Sequence, residues 1–111
     1  MNDLVLSSEQ KQYAQSIKET MTIIAKNHIK LGQQLINAKK HLKHGEFMPM
    51  IESIGLNYQT ARGYIDIAKL SICTESNVLN LTYFNNSQLK KLDEMEVEEA
   101  QIIIESGEFP K

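Results

Sequence analysis

From Ala14 to Leu42 the side chains Ala14, Ile17, Met21, Ile24, His28, Leu31, Leu35, Ala38 and Leu42 follow one another in alternating steps of three and four. All but His28 are apolar. Steps that alternate in this way keep one face of a helix apolar with a seven-residue repeat. Proline is missing from the first forty-eight residues, so nothing interrupts the pattern. Ser7 can cap the helix, with Gln10 three residues on as the capping-box partner. The spacing predicts one helix from Ser8 to Lys43, roughly 54 Å long. A 111-residue chain does not need so long a helix to cover itself. Either two copies pair along Ile17, Met21, Ile24, His28, Leu31 and Leu35, or the remaining chain packs along half of the helix. We expect a homodimer. Gly32, about 1 kcal/mol worse than alanine in a helix, marks a bend or a close crossing. His28 is expected as a half-buried histidine on this seam, with its ring hydrogen-bonded.

The stretch His44–Leu70, HGEFMPMIESIGLNYQTARGYIDIAKL, follows directly. Glu46–Ile54 reads as a short helix with Pro49 in its first turn. Gly55 can take the left-handed conformation that ends it. Asn57 is a good N-cap for a second helix from Tyr58 to Ser71. Phe47, Met50, Ile51 and Ile54 share one face of the first, and Ala61, Tyr64, Ile65 and Ala68 one face of the second. Tyr64 and Ile54 are expected to meet in the core at the crossing. This is the helix-turn-helix pattern, and an αα-hairpin with no nucleic-acid role has the same spacing. Asn57, Tyr58, Gln59, Arg62, Gly63 and Asp66 fall on the outward face of the second helix, where a DNA groove would lie.

Charge distribution supports that choice. The net charge is −2 over the whole chain. Residues 26–70 carry seven Lys or Arg against three acids, +4, and residues 71–111 carry three lysines against eight acids, −5. A basic segment that coincides with the helix-turn-helix candidate is what a phosphate-binding face needs. The competing explanation for Lys39, Lys40, Lys43, His41 and His44 is that cations suit a helix C-terminus. The two histidines find no third ligand at metal spacing, so no metal and no cofactor are expected.

The remainder is polar and acidic. Glu75–Leu81 reads as one helical turn. Ser87 reads as the cap of a helix from Gln88 to Met95 with Leu89 and Leu92 inward. Val97–Ser106 reads as a further helix with Val97, Ala100, Ile103 and Ile104 apolar, Glu96, Glu98, Glu99 and Glu105 outside, and Gly107 at its end. Together the segments 8–43, 46–71 and 75–107 make one all-α domain spanning 1–111, with Met1–Leu6 as an arm. A single cysteine, Cys73, excludes an internal disulfide and fits the cytoplasm, as a partly buried small apolar residue. No apolar run is long enough for a membrane span. Neither a glycine-rich phosphate loop nor a Ser/His/Asp set is present, so an enzyme is not expected.

Over residues 29–70 the chain resembles a family of small proteins from bacterial plasmids, phages and other mobile elements, whose shared domain has no assigned activity and is held to contain a helix-turn-helix. The matching residues are Leu31-Gly32, Leu35, Ala38-Lys39, Leu42, His44-Gly45-Glu46-Phe47, Pro49, Gly55, Thr60-Ala61, Tyr64 and Ala68. The resemblance implies that the long helix leads straight into the helix-turn-helix. Two positions depart from it: Met50 replaces a frequent tryptophan, and Gly63 stands where a long polar side chain is usual, removing one contact to DNA. The function expected is that of a small DNA-binding regulator. Tyr58, Gln59 and Arg62 would read bases, with Asn57 and Asp66 on the same face, and Lys39, Lys40, Lys43 and Lys69 would hold phosphates. The alternative is a module that binds or blocks a host or phage protein through its helical surface.

Overall fold

The computed structural model describes residues 5–109, and the expected arm is described only from Val5 on. The protein is all-α. Its elements are α1 (Ser8–His41), α2 (Phe47–Ser53), α3 (Tyr58–Ala68), α4 (Val78–Leu81), α5 (Asn86–Glu94) and α6 (Val97–Ser106). Among the described residues no helix is long and apolar enough to cross a membrane.

The start of α1 is the capping box read from the sequence. Ser7 Oγ accepts from the Gln10 amide at 3.1 Å, and Gln10 Oε1 accepts from the Ser7 amide at 2.9 Å. The helix ends at His41, two residues before the expected Lys43, because Leu42 turns extended and the chain passes through Gly45 at φ +88°. Glu46 then accepts from the Lys43 amide at 2.6 Å, and α2 starts at Phe47.

Two cores form, and α1 and α3 line both. In the first, Leu35 of α1 packs with Phe47 and Ile51 of α2 and with Ala61 and Ile65 of α3. In the second, Ala25 of α1 and Ile67 of α3 pack with Leu81, Leu92 and Ile104 from the three C-terminal helices. Gly32 is the point where the helices meet. A Cβ there would lie 2.6 Å from both Ala68 Cβ and the Tyr64 carbonyl oxygen, so the glycine marks a close crossing and not a bend.

The seam along α1 divides in two. Leu35 is buried, and Leu31 and His28 are half-buried, all against the protein's own chain. Ile17, Met21 and Ile24 are exposed. Of the six residues expected to pair two copies, only these three stay free. His28 stacks tilted on Tyr64, with ring centroids 4.3 Å apart, but its buried Nδ1 has no hydrogen-bond partner, contrary to the satisfied ring expected. Burial pushes its pKa below the ordinary 6.5.

Ile54 corrects the expected core. It is 68% exposed, because α2 closes one residue earlier in a Schellman turn. The Leu56 amide donates to the Ile51 carbonyl at 2.9 Å and the Gly55 amide to Glu52 at 3.0 Å, with Gly55 at φ +76°. The turn swings Ile54 outward and brings Leu56 in against Ile51's core.

Three further boundaries move. α3 ends at Ala68 and not at Ser71, because the Ser71 amide and hydroxyl, at 2.9 and 2.8 Å, and the Ile72 amide, at 3.3 Å, all donate to the Asp93 carboxylate of α5. The turn expected from Glu75 is helical only over Val78–Leu81. Buried Asn77 anchors the chain before it, donating to the Ile72 carbonyl at 2.7 Å and accepting from the Thr74 amide at 2.8 Å. α5 is capped by Asn85 and not Ser87, since Asn85 and Gln88 exchange a capping box two residues upstream. Val97–Ser106 ends as expected, with Gly107 left-handed at φ +82°, although Val97 itself is exposed. Cys73 packs half-buried against the second core, and its burial raises the thiol pKa.

Candidate nucleic-acid interface

The surface built around α3 starts from its cap. Asn57 is extended, and its Oδ1 accepts from the Gln59 amide at 2.7 Å and the Thr60 amide at 3.4 Å. That acceptor is therefore committed to starting the helix, and only the Asn57 amide nitrogen stays free for other donation. Ala61 and Ile65 pull one side of α3 into the first core and Ile67 pulls another into the second. The 3.6-residue period then leaves Tyr58, Arg62 and Lys69 in one outward row, with Gln59 and Asp66 beside it. Gln59 is exposed and Tyr58 partly so.

The row is bordered differently on its two sides. On the α1 side, Lys39, Lys40 and Lys69 line one hollow together with Ile36 and Ile65. The hollow thus joins lysines of α1 to a lysine thirty residues on in sequence. On the other side α5 runs alongside, and Asp66, Lys90, Asp93 and Glu94 share a cleft with Lys69.

Two of the cations have partners within the chain. Arg62 Nε lies 3.6 Å from Asp66 Oδ2, one helical turn on, with both side chains solvent-accessible. An exposed pair of this kind is worth a few tenths of a kcal/mol, so it orients the guanidinium without holding it. The Lys39 ammonium sits 5.8 Å from the centroid of the Phe47 ring, which fixes the lysine stem across the start of α2. Lys43 is exposed beyond the end of α1, outside the hollow.

Gly63 is open on its outer side, with nothing within 4 Å of where a Cβ would stand, so the surface there is backbone. Sequence reasoning missed Asp93, whose place beside α3 depends on a contact twenty-two residues away in the chain. No family model, curated protein or solved structure matches the chain.

Proposed function

We propose that the protein is a small DNA-binding regulator that enters the major groove with α3. The observation that carries the reading is the exposed row of Tyr58, Arg62 and Lys69 lying against the Lys39–Lys40–Lys69 hollow. A row of mixed hydrogen-bonding side chains on a helix, flanked by lysines fixed to a second helix, divides the labour that recognition requires. The lysines neutralise phosphates and set the register, while the row meets base edges. Arg62 is the only arginine in the chain, and its planar fork suits the two acceptors of guanine. Binding must detach it from Asp66, which costs little. Residues 29–70 carry the resemblance to mobile-element proteins, and on that ground we assign the regulator to such an element and to the cytoplasm.

The test is selection from random double-stranded DNA, followed by titration at several salt concentrations. Arg62→Ala should lose about 1–3 kcal/mol of preference for the selected sequence and keep weak, salt-dependent binding. Lys40→Ala should weaken binding to all sequences alike and lower the salt slope by about one. If Arg62→Ala selects the same sequences with the parent's affinity, α3 is not the reading helix.

One observation favours a second reading. On α6, Ile102 is 68% exposed among Glu98, Glu99 and Glu105. An exposed isoleucine inside an acidic rim suits a basic protein partner, as in a module that binds or blocks another protein. Retention on heparin that falls with salt separates the two, since only the basic α1–α3 flank supports it.

A further inference from the structure

The outer half of α1 presents exposed apolar side chains away from the α3 surface. We propose that two copies of the chain pair antiparallel through residues Ser8–Ile24. Tyr13, Ile17, Met21 and Ile24 are between 49% and 66% exposed there. They lie on the same face that the chain covers with its own helices from Ala25 onward.

Surface area argues that this face is not left to water. The chain exposes 8563 Å², whereas a compact monomer of its 12.7 kDa exposes about 6,200 Å². The radius of gyration is 17.2 Å, against about 13 Å for a compact 111-residue domain. The excess is about 2,300 Å² per copy, more than the roughly 800 Å² that each partner contributes to a standard stable interface. The segment is electrically balanced, with Glu9 and Glu19 against Lys11 and Lys18, so two copies do not repel.

Orientation follows from what already occupies the face. Beyond Ile24 the stripe is covered by α3 and α4. A parallel partner would bring its own α3 and α4 to the same height on the same face, where they collide. An antiparallel partner places its covered half at the opposite end. The heptad register that keeps each copy's Ser8–Ile24 clear of the other's covered half sets Ala14 of one copy against Ile17 of the other, and Gln10 against Met21. Tyr13 comes alongside Lys18, at the edge of the hollow that Lys18, Met21 and Thr22 line with Leu79 of α4.

Sedimentation of the full chain at micromolar concentration should give twice the monomer mass. Ile17→Glu changes an exposed residue, so it should keep the helical circular dichroism and raise the dissociation constant at least a hundredfold. A monomer at every concentration up to about 100 µM, a concentration at which any interface of standard size is populated, overturns the proposal. So does a dimer indifferent to Ile17→Glu. For the orientation, Gln10→Cys and Met21→Cys chains are mixed in a Cys73→Ser background and oxidised. A disulfide between unlike chains is expected, and disulfides only between like chains overturn the antiparallel arrangement.

Discussion

Gly32 and Gly63 lie on the two helices of the same crossing and should respond to alanine with opposite sign. In the middle of a helix alanine is favoured over glycine by about 1 kcal/mol. At Gly63, where the added methyl meets nothing within 4 Å, Gly63→Ala should realise roughly 0.5–1 kcal/mol of added stability. At Gly32 the methyl would lie 2.6 Å from the Tyr64 carbonyl oxygen, which belongs to backbone and cannot rotate away. α3 must move off α1, and we expect a net loss of about 1–2 kcal/mol in denaturant titration. His28 supplies a pH dependence. Its pKa lies below the ordinary 6.5 because burial disfavours the cation, so the unfolded chain takes up the proton first. Its contribution is constant above pH 6.5, and stability falls as pH drops through 6.5 toward the lower folded value. His28→Phe should abolish that part of the slope, measured as the difference between the two proteins' stabilities across this window. An unchanged slope would assign it to other groups.

At the scale of elements, the Schellman turn separates two isoleucines three residues apart. Ile51 is 0% exposed, and Ile51→Ala should cost about 2–5 kcal/mol. Ile54→Ala should change stability by less than about 0.5 kcal/mol, since 68% of that residue faces water. Equal losses at both positions would mean that α2 continues past Ser53. Tyr64 is half-buried against His28, so truncating it should cost less than it would for a wholly buried ring, with part of the loss from the stack. The segment that follows α3 is tied to α5 by one carboxylate that accepts three hydrogen bonds. Asp93→Ala leaves the Ser71 and Ile72 amides without that acceptor and should cost about 1–3 kcal/mol, read in thermal melts.

The molecule measures 56 × 35 × 18 Å, and its long dimension reflects α1. A helical segment of seventeen residues with few tertiary contacts is marginal in water. In hydrogen exchange, amides between Tyr13 and Ile24 should therefore exchange far faster at high dilution than those around Leu35, and their protection should rise with protein concentration. Protection there that does not depend on concentration would show that the segment is stable without a second copy.

Local rules made much of the chain legible. The Ser7–Gln10 box, the Asn57 cap and the left-handed Gly55 and Gly107 depend on neighbours within four residues, and each took the form that the residue types dictate. The length of α1 followed from an unbroken period and the lack of proline. Periodicity put Tyr58, Gln59, Arg62 and Asp66 away from the Ala61–Ile65 side of α3, but it did not show that Ile67 is buried on a second side, against the C-terminal helices. What the sequence could not determine is which half of the seam the chain covers itself. Met21 and Leu35 occupy equivalent positions in the same repeat, and only the docking of α3 across Gly32 makes one exposed and the other buried. The Lys39–Lys40–Lys69 hollow and the reach of Asp93 to Ser71 have the same origin. They join residues twenty to thirty apart, and side-chain spacing along one helix carries no information about what another helix brings beside it.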